Sequence, residues 1–288
     1  MTRKPPERQT EQLIGNVAVL ACQLDIPADM QTASERDKHL QRTAALIDQQ
    51  LLKRPADVVL LPELSSISYT RHCFSNPDVF AEEAHGASFD CLAPVARKHG
   101  VFILYGAPRV RDTQSLTICQ FIIDRAGESA GWFDKLHLAQ YGASMEKEYF
   151  HRGQGLCCFE VNGLRLAPQI CYDMRFPDFA KTLSVHYAVQ AVLHCVAFYR
   201  DESFYSWPSF VVTRAMENQI YWLSLNRAGE QFGGSVFCSP WVDEDMPVQV
   251  LGTAEECVYL DLQQSEIDRV RLAYTFSSDR LSDYSALE

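Results

Sequence analysis

The chain has 288 residues, 47% of them hydrophobic, and a formal net charge of −11 at pH 7. That length and apolar share supply a large core, and an acidic balance with no basic stripe interleaved with aromatics argues against a nucleic-acid partner. The ten cysteines lie scattered in apolar segments, Cys22 and Cys195 among them, and read as the reduced core thiols of a cytosolic protein more than as a disulfide framework.

Residues 1–12 are charged, and the apolar run that follows is cut by Gln23 and Asp25. Neither a signal peptide nor a membrane span is expected there, and residues 1–14 read as a loose tail before one domain over 15–288. Residues 17–24 predict a strand, and 34–53 an amphipathic helix because Leu40, Ala44, Ile47 and Leu51 recur at helical spacing. Next come a strand over 58–61 stopped by Pro62, a helix over 89–99 closed by Gly100, and a strand over 101–107. Two hairpins are expected. Runs 116–123 and 129–133 flank a turn at 124–128, and runs 157–161 and 164–170 flank Asn162-Gly163. A helix near 178–187, a buried strand over 189–197, a helix near 204–218 and a strand over 220–226 complete the pattern, with no linker or internal repeat. The order fits an α/β fold in which mixed sheets are covered by helices.

Three segments share one grammar: an apolar run, then a reactive side chain where a strand would end. Residues 165–171 deliver Cys171, 57–63 deliver Glu63 behind Pro62, and 131–135 deliver Lys135. In open α/β sheets the loops beyond the strands' carboxyl ends line the binding crevice. A helix opening after Cys171 would favour thiolate and lower the thiol from its usual value of about 8.5 towards neutrality. An acid to take the thiol proton, a thiol to attack a carbonyl-like carbon and an ammonium to offset the oxyanion are the parts of acyl transfer. Each also has a plainer reading alone, as a buried small hydrophobe, a helix-start acid or a solvated charge. A metal site drawing on Cys157, Cys158, His194 and Cys195 lacks the paired spacing of zinc ligands.

With Leu-Pro-Glu63-Leu, Asp-Lys135-Leu-His-Leu and Ile-Cys171-Tyr-Asp-Met-Arg-Phe-Pro in chain order, the sequence resembles the nitrilase, or carbon-nitrogen hydrolase, superfamily over nearly all of the chain after residue 15. The resemblance implies a four-layer αββα sandwich with two mixed β-sheets, paired through helices into a homodimer. It makes Glu63 the base, Lys135 the oxyanion lysine and Cys171 the nucleophile. It also implies a second glutamate in the loop between lysine and cysteine; Glu146 fits by its distance from Gly153, and Glu148 is the alternative. The backbone N–H of Tyr172 would join Lys135 at the oxyanion. No metal or organic cofactor is called for, and the partners expected are a small amide substrate and water.

The stretch after the nucleophile looks like the omega-amidase branch, which hydrolyses the terminal amide of short dicarboxylate monoamides such as 2-oxoglutaramate and 2-oxosuccinamate. Arg175 would grip the substrate carboxylate, or else pair internally with Asp173 or another acid. Where relatives often show an Asn-Trp-like pair, this chain has Phe198 and Tyr199, which either line the pocket or belong to the core. N-carbamoyl amino acid amidohydrolases and nitrilases use the same triad. A catalytically silent scaffold is the reading from a different class.

Overall fold

A computed structural model describes residues 15–112, 115–281 and 284; the tail read over residues 1–14 lies outside the described residues. Five strands open the chain: β1 (Asn16–Gln23), β2 (Val58–Leu60), β3 (Phe102–Asp112), β4 (Ser115–Ile123) and β5 (Ser129–Asp134). Six more follow: β6 (Phe159–Val161), β7 (Leu164–Ile170), β8 (Ala191–Cys195), β9 (Tyr221–Leu225), β10 (Val236–Cys238) and β11 (Gln249–Val250). A last strand, β12 (Glu256–Gln263), returns to pair antiparallel with β1. The orders are β12-β1-β2-β3-β4-β5 in one sheet and β11-β10-β9-β8-β7-β6 in the other. Each sheet has a parallel centre, β1-β2-β3 or β7-β8-β9, flanked by antiparallel strands.

Alternation along the strands splits the core in two. Val17, Val19 and Ala21 of β1 meet Tyr221, Leu223 and Leu225 of β9 in a layer between the sheets. Leu20 and Cys22 point the other way, into the larger cluster that the helices cover. On the first sheet the cover is α1 (Ala33–Lys53), the short α2 (Arg71–Ser75) and α3 (Pro77–Phe80), and α4 (Ala87–His99). On the second it is α5 (Pro177–Lys181) and α6 (Trp207–Asn218), while α7 (Gln264–Ala273) and α8 (Phe276–Asp279) close the chain. The result is the four-layer αββα sandwich.

Local chemistry explains the ends of the longest helices. Thr32 and Glu35 form a capping box that starts α1, and Gly100 adopts a left-handed φ of 64° that ends α4. The helix expected near 178–187 is α5 continued by a π turn, Thr182–His186. The strand expected over 189–197 is shorter, and residues 196–197 leave the sheet to reach the site.

Candidate active site

Glu63 stands just beyond the carboxyl end of β2, on a backbone pinned by its neighbours. Leu61 N–H donates to the Leu104 carbonyl at 3.0 Å, Leu64 takes a φ of 49°, and Gly106 of β3 lies so close that a Cβ there would sit 2.3 Å from Leu64 N. Lys135 follows β5 at the same end of the same sheet, its N–H donating to the Ile118 carbonyl at 2.8 Å. Both side chains are fully buried.

Lys135 Nζ donates to Glu63 Oε1 and to Glu146 Oε1, each at 2.7 Å. Glu146 Oε2 accepts from Ala139 N–H at 2.8 Å, and Tyr69 Oη donates to Glu146 Oε1 at 3.1 Å. Glu148, the alternative from the sequence, is instead turned outward to an exposed pair with Arg71. Burial opposes the Lys135 charge, but the carboxylates of Glu146 and Glu63 outweigh it and hold the amine well above its usual range. It is an ammonium, with two of its three protons committed to carboxylates.

Cys171 follows β7 with a φ of 44°, a left-handed bend at the junction of strand and turn. Ala197 N–H donates to Glu63 Oε2 at 2.8 Å, and the Cys171 sulfur lies close enough to be influenced by Glu63, Lys135 and the Ala197 amide together. Sulfur, acid and amine therefore converge. The expected lowering of the thiol does not occur, however. Burial and the Glu63 carboxylate push Cys171 well above its usual value, with Lys135 only partly opposing them. The helix meant to stabilise thiolate is a five-residue 3-10 turn, Cys171–Arg175, too short to present a substantial dipole.

Asp173 is the brace of that turn. Its Oδ2 accepts from Ile170 N–H at 3.2 Å, and its Oδ1 from His137 N–H at 2.9 Å and His137 Nδ1 at 2.8 Å. The turn that carries Cys171 is thereby tied to the loop after Lys135, and Asp173 is not the partner of Arg175. Arg175 donates to Ser206 Oγ at 2.9 Å and to the Ser203 carbonyl at 3.4 Å, with its guanidinium 4.4 Å above the Phe210 ring. No carboxylate among the described residues forms an ion pair with it.

The remaining residues singled out from sequence divide between wall and core. Tyr172 packs its ring against Tyr141 and Phe176. Phe198 is buried, stacked on Trp207 with centroids 5.2 Å apart, so its ring belongs to the core. Tyr199 lines a cavity of about 370 Å³ whose wall also holds Tyr69, Met145, Arg227 and Phe232, and Tyr69 joins that cavity to Glu146. His194, offered as a metal ligand, has both ring nitrogens engaged by Ser224 and the Cys171 carbonyl.

Sequence reasoning missed Tyr69, Ala197 and Arg227. Arg227 is buried, donates to the Ile67 carbonyl at 2.7 Å, and is lowered to about 10 by that burial. Nothing in the local sequence marks any of the three, because their partners lie far away along the chain.

An acid, an amine and a thiol gathered at the carboxyl ends of strands from two facing sheets are the groups that acyl transfer requires. The profile of the carbon-nitrogen hydrolase family matches residues 17–271, and the chain belongs to that family. It is 31% identical over 191 residues to the 2-oxoglutaramate amidase of Bacillus subtilis (strain 168), spanning 65% of this chain and 71% of that one. It is 25% identical over 270 residues to the omega-amidase NIT2 of Bos taurus, with 90% and 95% of the two chains covered. The crystal structure of Saccharomyces cerevisiae Nit3, a member of branch 10 of the nitrilase superfamily, superposes with a TM-score of 0.79 at 22% identity, covering 96% of this chain and 99% of that one.

The contact of Gly106 with the Glu63 backbone yields a prediction. Gly106→Ala is expected to lose about 1–3 kcal/mol of stability, as overpacking does, and roughly tenfold to 10²-fold in turnover through displacement of Glu63. Thermal unfolding and steady-state ammonia release measure the two effects.

Proposed function

We propose that the protein hydrolyses the terminal amide of a short dicarboxylate monoamide, of the 2-oxoglutaramate or 2-oxosuccinamate type. The observation that carries this reading is Arg175, a guanidinium on the nucleophile's own turn with no carboxylate partner among the described residues. The relatives named for 2-oxoglutaramate amidase and omega-amidase activity support it.

The reaction runs in two halves. Glu63 takes the Cys171 proton as sulfur attacks the amide carbon, and the resulting oxyanion is held by the third N–H of Lys135 and by Tyr172 N–H. Glu63 passes its proton to the nitrogen, the C–N bond breaks, and ammonia leaves a thioester. Glu63 then deprotonates a water that attacks the thioester carbon; the C–S bond breaks, the acid is released and the sulfur recovers its proton. Glu146 keeps Lys135 charged and aimed.

The cellular setting follows from the same chemistry. All ten cysteines are free, which suits a reducing cytosol, and no helix among the described residues is long and apolar enough to cross a membrane. We read the molecule as a homodimer joined through the helical layer of the second sheet, where Val185, Tyr187 and Tyr205 are exposed.

Ammonia release from monoamides of four- and five-carbon diacids, from N-carbamoyl amino acids and from simple nitriles tests the assignment. The monoamides should be preferred. Arg175→Met should raise their KM by about tenfold to 10²-fold, the worth of a charged hydrogen bond, and leave neutral amides unchanged. Equal use of neutral amides by the wild type would end the dicarboxylate reading.

A further inference from the structure

His194 sits on β8 between Gln169 of β7 and Ser224 of β9, fully buried. One ring nitrogen, Nε2, lies 2.9 Å from the Cys171 carbonyl, and the other, Nδ1, lies 2.7 Å from Ser224 Oγ. The proton positions on this ring follow from its partners. A carbonyl only accepts, so Nε2 carries the hydrogen. The ring is neutral, burial lowering it to about 3, so Nδ1 accepts from the Ser224 hydroxyl. Trp207 Nε1–H donates to Ser224 Oγ at 2.9 Å and completes a line of donors running from α6 through β9 and β8 to the nucleophile.

The end of that line is mechanistically placed. The Cys171 carbonyl and the Tyr172 N–H belong to one planar trans peptide, so fixing the oxygen at one edge fixes the hydrogen at the opposite edge. Cys171 needs such support because its φ of 44° is a conformation that non-glycine residues rarely adopt. We propose that His194 is a positioning residue that orients the oxyanion-binding N–H of Tyr172 from behind, by holding the carbonyl of Cys171. The inference rests on the reading of Cys171 as nucleophile and Tyr172 N–H as oxyanion donor. His194 touches no reacting atom.

The role separates from simple scaffolding by comparing two reactions of one sulfur. Amide hydrolysis builds an oxyanion; alkylation by iodoacetamide does not, because Sγ bonds to the methylene carbon, iodide leaves and Glu63 receives the thiol proton. A glutamine amide reaches about as far as Nε2, whereas an asparagine amide reaches only as far as Nδ1 and cannot hold the carbonyl. His194→Asn and the ring-shaped His194→Phe should each lose on the order of 10²-fold in kcat, the typical cost of an oxyanion donor, with KM and the Cys171 alkylation rate within about threefold of wild type. His194→Gln should recover most of that kcat.

Equal kcat losses in the Asn and Gln variants, or kcat and alkylation falling together in Asn and Phe, would overturn the positioning role. So would undiminished kcat in Asn and Phe. A wild-type Cys171 that iodoacetamide does not label, or a Cys171→Ala variant that turns over, would instead overturn the underlying assignment of the nucleophile.

Discussion

Cys171→Ala should abolish ammonia release, lowering turnover by a factor on the order of 10⁴ to 10⁶, the scale seen when a covalent nucleophile is removed. No neighbouring thiol is placed to substitute. Cys195 lies on the neighbouring strand, paired with Ile170, but it is fully buried, its Sγ is 3.8 Å from the Leu193 carbonyl, and burial raises it well above its usual value. The variant should nonetheless fold. The Lys135 pairs to Glu63 and Glu146 involve no atom of Cys171, and Asp173 holds the turn through Ile170 and His137. Stability therefore changes little, within about 1 kcal/mol, because a small side chain loses only its sulfur contacts. Single-turnover assays with long incubation measure the rate, and differential scanning calorimetry the stability. Turnover within tenfold of wild type would remove the covalent mechanism.

How much of this was legible in sequence depends on the range of each interaction. Glu63, Lys135 and Cys171 are readable because each ends an apolar run within a few residues, and the short-range grammar of strand, breaker and reactive side chain survives in the fold. Glu146 could be favoured over Glu148 by spacing, and the structure brings it to Lys135 because Ala139 N–H and Tyr69 Oη anchor its two oxygens.

The Arg175–Asp173 pair that sequence proximity suggests fails for a local reason. In a 3-10 turn side chains three apart align while those two apart diverge, and Asp173 turns back to cap its own turn. A dipole inferred from the local sequence gives the wrong sign for the thiol, because burial and the Glu63 carboxylate, which arrives from a distant segment, decide it. Strand β12 has a local signal in the alternation of Val258, Leu260 and Leu262, but its pairing with β1 spans most of the chain. His194 reaches the Cys171 carbonyl only once β7 and β8 lie side by side, and Ala197 N–H reaches Glu63 only once the two sheets face each other.

Glu63→Gln carries the most discriminating expectation, because it should move turnover and thiol ionisation in opposite senses. In the proposed role of base, Glu63 would receive the sulfur proton and later activate water, so its loss should lower kcat by about 10²- to 10⁴-fold. As a fixed negative charge beside a buried sulfur, it also disfavours thiolate, together with burial itself and against Lys135. Replacing the carboxylate by an amide of the same shape removes that repulsion and leaves the Lys135 ammonium paired with Glu146 alone. The sign follows directly: a group whose ionised form loses a like-charged neighbour ionises at lower pH. Thiolate absorbance near 240 nm, roughly where sulfur anions absorb, or the pH dependence of iodoacetamide labelling should therefore show Cys171 titrating below its wild-type position in a variant that barely turns over. A Cys171 titration that moves upward in Glu63→Gln would mean that the carboxylate stabilises a resting thiolate–lysine pair, and the acid would then be an orienting group and not the base. Downward movement with turnover lost identifies an enzyme that keeps its nucleophile protonated until substrate arrives, with proton removal and carbon–sulfur bond formation belonging to one step.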